Sequence, residues 1–86
     1  MEKGTLARTF GTLLQRLRLE RGLSQEAFAQ ACGIERTHMG KIERGEVNVT
    51  VATTLRLVRG LDLSLPAFFA ELDELLSAPR EDGGAH

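Results

Sequence analysis

Eighty-six residues make one small domain by the usual prior of roughly 100 to 200 residues per domain. The 42% apolar content and formal net charge of −1 are those of an ordinary soluble globule and carry no nucleic-acid signal of their own. Four Phe with no Trp or Tyr leave little for bases to stack on, which argues against single-strand and RNA binding. The lone Cys32 and two histidines fall short of a disulfide or a four-ligand zinc site, so neither metal nor cofactor is expected. No run approaches the ~18 apolar residues of a membrane span, and the first residues lack a signal-peptide core. The expectation is a cytoplasmic protein with no membrane partner.

Charge is unevenly spread. Residues 1–21 carry +3, residues 22–60 carry +1 and residues 61–86 carry −5. A cationic body with an acidic end can still turn a positive face to a polyanion.

In chain order, Leu6, Phe10, Leu13, Leu14 and Leu17 recur at helical spacing and predict a first helix closed by Gly22. Ser24 can cap a second, short helix through Cys32, closed by Gly33 and held by packing of Ala27, Phe28 and Ala31. A third runs from Glu35 to Arg44, with Ile34, Met39 and Ile42 inward and Gly45 as its stop. Gly40 inside it costs roughly 0.8–1 kcal/mol against alanine unless a close approach needs a bare backbone there. Val47–Val51 alternates like a strand but has no other strand to pair with, and is read as an extended loop. Thr50 caps a fourth helix with Val51, Leu55 and Val58 on one side and Gly60 at its end. Ser64 caps a fifth, with Pro66 in its first turn and an apolar band of Leu65, Phe68, Phe69, Leu72, Leu75 and Leu76. This predicts one all-α domain over residues 1–76, a compact five-helix bundle. Residues 77–86 are polar, rich in breakers and expected to form a disordered acidic tail.

The second and third helices, joined at Gly33 with small Ala29 before it and apolar Ile34 after it, have helix-turn-helix spacing. Such a pair leaves the start of its second helix free to enter a major groove. Gly22-Leu23-Ser24-Gln25-Glu26, Ala29, Gly33-Ile34 and Ile42-Glu43-Arg44-Gly45 resemble the helix-turn-helix family of Cro and phage repressors, over about residues 10–70. Glu35-Arg36-Thr37-His38 and Asn48 look most like the controller proteins of restriction-modification systems.

The resemblance implies a lambda-repressor-like DNA-binding domain that regulates transcription and performs no catalysis. It implies contacts to double-stranded operator DNA from Gln25, Arg36, Thr37, His38, Lys41, Arg44 and Asn48. Arg36 is the best base reader by its chemistry, since a guanidinium bridges O6 and N7 of guanine. Gln25, Arg44 and Asn48 suit the phosphate backbone. Arg18 and Glu43 match a partly buried ion pair that orients the third helix. Glu35, Glu46 and Val47 depart from the polar or basic residues common nearby, which lowers affinity for a polyanion. Leu61, Leu63, Leu65, Phe68, Phe69 and Leu72 offer more apolar surface than one small core absorbs and are assigned to a homodimer seam.

Three other signals lose. Asn48-Val49-Thr50 matches a glycosylation acceptor but no secretory signal accompanies it. Ser24 with His38 could be assembled into a nucleophile and base, yet Ser24 is occupied as a helix cap. The fifth helix has an acidic polar face where a membrane-surface helix wants Lys and Arg. No small-molecule ligand is indicated. The rival function is an antitoxin or other protein-binding helix-turn-helix module.

Overall fold

The computed structural model describes residues 3–78. The expected disordered tail lies outside them except for Ser77, which ends the last helix, and Ala78. Five helices follow in order: α1 (Lys3–Glu20), α2 (Gln25–Cys32), α3 (Arg36–Glu43), α4 (Val51–Gly60) and α5 (Leu65–Ser77). Residues 46–50 between α3 and α4 form an irregular loop with a bend at Val47 in place of the fully extended run expected, and no strand occurs among the described residues.

The helix starts are fixed by hydroxyls placed where a free amide needs an acceptor. Ser24 Oγ accepts from the Ala27 amide at 3.0 Å, Thr50 Oγ1 from that of Thr53 at 3.0 Å, and Ser64 Oγ from that of Ala67 at 3.2 Å. Between α2 and α3 the chain reverses at Gly33, whose φ of 70° is the left-handed conformation a Cβ disfavours. The Gly33 and Ile34 amides then bond back to the carbonyls of Gln30 and Ala29.

Leu13, Leu14, Phe28, Met39, Ile42, Leu57, Val58, Leu61 and Phe68 form the fully buried centre. The Phe10 and Phe68 rings meet edge to face at 5.4 Å, joining α1 to α5. α1 also lies flush on α3: a Cβ at Gly11 would overlap the backbone carbonyls of Ile42 and Glu43.

Three expectations about packing are corrected. In α2 the buried positions are Phe28, Ala29 and Cys32, while Ala31 is exposed. In α4 they are Thr54, Leu57 and Val58, and Val51 is 83% exposed. Of the six residues assigned to a dimer seam, Leu61, Phe68 and Leu72 lie in the core of the single chain, and Leu63 and Leu65 pack partly buried against it. The reason is that α5 crosses both α1 and α4, so its own stripe closes the intrachain core. Phe69 alone stays exposed.

Candidate nucleic-acid interface

α3 divides cleanly into two sides. Met39, Gly40, Ile42 and Glu43 face inward, while Arg36, Thr37, His38 and Lys41 are exposed, as is Arg44 just past its end. Thr37, Lys41 and Arg44 stand at i, i+4 and i+7, one stripe along the outward face. Arg36 and His38 flank that stripe at its N-terminal end.

The ridge is held from behind by a buried ion pair. Arg18 of α1 donates from Nε and Nη2 to the Glu43 carboxylate at 2.8 and 3.0 Å, and from Nη1 to the Leu23 carbonyl at 2.9 Å. Both charged groups are almost wholly out of water and every buried polar side-chain atom among the described residues has a partner. Removing one partner of such a pair costs about 3–5 kcal/mol, because the other is left buried and alone. The expected pairing of Arg18 with Glu43 is therefore present, and it ties α1, the α1–α2 turn and α3 into one frame.

Gln25 joins this network. Its Nε2 donates to Glu43 Oε1 at 3.1 Å, so one of its two amide hydrogens is engaged within the chain. A phosphate contact by Gln25 would use the other. Gly40 leaves a notch over which two polar groups lie: a Cβ there would stand 3.1 Å from Arg44 Nη1 and 3.5 Å from Gln25 Oε1. The bare backbone leaves room there for these two side chains, whose flexible ends would have to give by only a few tenths of an ångström to admit a Cβ.

Arg44, expected to face phosphate, is paired with Glu46 in the free chain, Nε to Oε2 at 2.7 Å and Nη2 to Oε1 at 3.4 Å. Each group holds the other in its charged form, raising the guanidinium and lowering the carboxyl relative to their ordinary values. In sequence Glu46 reads only as an unfavourable charge; the clue to its partner is the opposite charge two residues away across Gly45. Asn48 is exposed on the loop beyond.

Other chemistries find no constellation. No cluster of His, Cys, Asp and Glu among the described residues could hold a metal, and no described helix is long and apolar enough to cross a membrane. Burial pushes the Cys32 thiol up to about 11, away from the thiolate a nucleophile needs. Ser24, capping α2, is 3.0 Å from an amide and is no activated hydroxyl.

Residues 9–75 match the helix-turn-helix domain family. The chain belongs to that family. It is similar to the HTH-type transcriptional regulator SutR of Escherichia coli (strain K12), 38% identical over 65 residues that make up 76% of this chain and 36% of SutR. It thus spans about a third of that relative. It is also similar to the control protein C.MunI of Mycoplasma sp, 35% identical over 66 residues covering 76% of this chain and 89% of that one. Among solved structures it resembles the restriction-modification controller protein C.Esp1396I: one chain from the structure of its tetramer in complex with its natural 35 base-pair operator superposes with a TM-score of 0.77 at 32% identity, covering 84% of this chain and 96% of that one. The five-helix domain is accordingly a helix-turn-helix domain similar to those of transcriptional regulators and restriction-modification controller proteins.

Proposed function

We propose that the chain binds an inverted-repeat operator as a homodimer and regulates transcription as a restriction-modification controller protein does. The observation that carries this reading is the outward side of α3, where Arg36, Thr37 and Lys41 stand exposed on a helix whose back is clamped by the buried Arg18–Glu43 pair. A rigidly held row of donors facing water is what direct readout of base edges requires. His38 beside these three, Arg44 at the C-terminal end of the Thr37–Lys41 stripe and Asn48 on the loop beyond suit sugar-phosphate contacts, and Gln25 sits in the first turn of α2, where free amides can serve the same backbone.

A second copy is the natural cover for the apolar surface that the single chain leaves open. Leu6 and Phe69 are 41% and 45% exposed beside a groove of about 390 Å³ that Val47, Val49 and Leu72 also line. The seam is therefore assigned to Leu6 and Phe69 with this groove, in place of Leu61, Phe68 and Leu72, which are buried within the single chain.

The test is selection of duplexes from a random-sequence pool by the wild-type chain, followed by footprinting of the winner. Two protected half-sites related by a dyad, their centres about 34–36 Å apart, are expected for two reading helices in successive major grooves. Protection of one asymmetric half-site, unaffected by half a turn of inserted spacing, would contradict the dimeric reading.

A further inference from the structure

The outward side of α3 carries three permanent cations, Arg36, Lys41 and Arg44, and they are not equally available. Arg44 is gripped by both oxygens of Glu46, with its guanidinium laid back over Gly40. The same carboxylate also interacts with Lys41. Arg36 has no ion-pair partner among the described residues. Glu46 itself is exposed, and its side-chain hydrogen bonds among the described residues go to Arg44 alone. A phosphate that takes the Nε–Nη2 edge of Arg44 must displace a carboxylate of similar geometry and charge, and one that takes the open Nη1 side meets a guanidinium already shared with that carboxylate.

We propose that Glu46 is a resident competitor for DNA phosphate, holding Arg44 closed in the free chain and so setting the concentration at which the protein occupies DNA. This rests on the operator-binding reading for its biological meaning, though the competition itself is with any phosphate backbone. The exchange involves a backbone anchor and leaves the base contacts of Arg36 untouched. Glu46 therefore weakens specific and non-specific complexes by the same factor. Its consequence is a lower burden of protein on random DNA and a higher threshold for filling an operator. In a dimer the effect acts twice.

The experiment uses wild type, Glu46→Gln, Arg44→Ala and the double variant. Each is titrated onto the duplex selected from the random pool and onto a scrambled duplex of equal composition, at several salt concentrations. Exposed pairs of this kind contribute little, so Glu46→Gln should tighten both complexes about two- to fivefold per subunit at low salt. The gain should shrink as salt rises, with the logarithmic salt slope steeper by up to about one per subunit. On the Arg44→Ala background the same substitution should gain less than half as much, in logarithm. An equal gain with and without Arg44 would mean that Glu46 merely repels phosphates at a distance, and no gain on either background would mean that the pair does not compete; either result overturns the proposal. Titration of the scrambled duplex separates this competition from operator recognition. A chain with no preference for any selected sequence would refute operator reading while the competition, read on random DNA, still stood or fell by its own cycle.

Discussion

Arg36 and Arg44 lie two turns apart on the outward side of α3, yet they are prepared for different tasks. Arg36 is exposed at the first position of the helix without an ion-pair partner among the described residues, so its guanidinium is available for a base edge at no cost in broken contacts. Arg36→Ala is therefore expected to lose about 1–3 kcal/mol per half-site on the selected sequence and little on scrambled DNA, collapsing the specificity ratio. Paired titrations of the two duplexes at one salt concentration check this. Equal losses on both would reduce Arg36 to a backbone anchor and pass base reading to Thr37 or Lys41. How far such roles can be read from sequence depends on the partner. Arg18 and Glu43 are legible because each adjoins a buried residue, Leu17 or Ile42, where a single charge would be costly. The Gln25 bond to Glu43 and the Arg44 bond to Glu46 are not, because a half-buried or exposed polar side chain has several neighbours within reach and geometry alone selects among them.

At the scale of elements, the caps are the most legible feature, since a hydroxyl before a helical run needs only local backbone to act. Ser24, Thr50 and Ser64 all accept the bond expected of them. The buried face of α4 is not legible. Val51, Leu55 and Val58 fall at i, i+4 and i+7, but so do Thr54, Val58 and Leu61, and periodicity cannot choose between two rows of one spacing. The second row wins because it meets α2 and α5. Thr54 is admitted to it by donating its hydroxyl to the Thr50 carbonyl at 2.9 Å. Gly60 likewise reads as a helix stop, yet the residue with positive φ is Asp62, at 59°, and a Cβ at Gly60 would instead run into Cys32 and Phe28 of α2. Two glycines of α1 make the same distinction testable. Gly4 has open space around it, so Gly4→Ala should raise stability by up to about 1 kcal/mol through helix propensity. Gly11 touches the backbone of α3, which cannot swing aside as a side chain can, so Gly11→Ala should lower stability by about 1–3 kcal/mol despite the same gain in propensity. Urea denaturation of both variants measures the difference, and two changes of the same sign would show that α1 can shift on α3 without penalty.

Across the whole molecule, the basic first sixty residues and the acidic α5 divide the surface by charge, and α5 also supplies the exposed Phe69. Its apolar band has a buried part and an exposed part that spacing alone does not separate. Phe68 and Leu72 are buried in the chain's own core, and Phe69 lies one position round the helix with its ring 5.7 Å from that of Phe68. Adjacent phenylalanines should thus fail in different ways. Phe68→Asp places a carboxylate where no water reaches, and the loss of packing alone is on the order of 3–5 kcal/mol, enough to unfold a domain of this size. Phe69→Asp puts the charge at the edge of the groove shared with Leu6, where a single chain tolerates it and a symmetric partner meets it twice. The expected outcome is a Phe69→Asp protein with unchanged helical circular dichroism and thermal unfolding midpoint at low concentration, but a monomeric sedimentation coefficient. Its affinity for the selected duplex should fall toward that for a single half-site, because two half-sites bound by one dimer act at high effective concentration and two monomers do not. A folded Phe69→Asp dimer with full operator affinity would place the seam elsewhere on the surface and leave Leu6 and Phe69 without a partner.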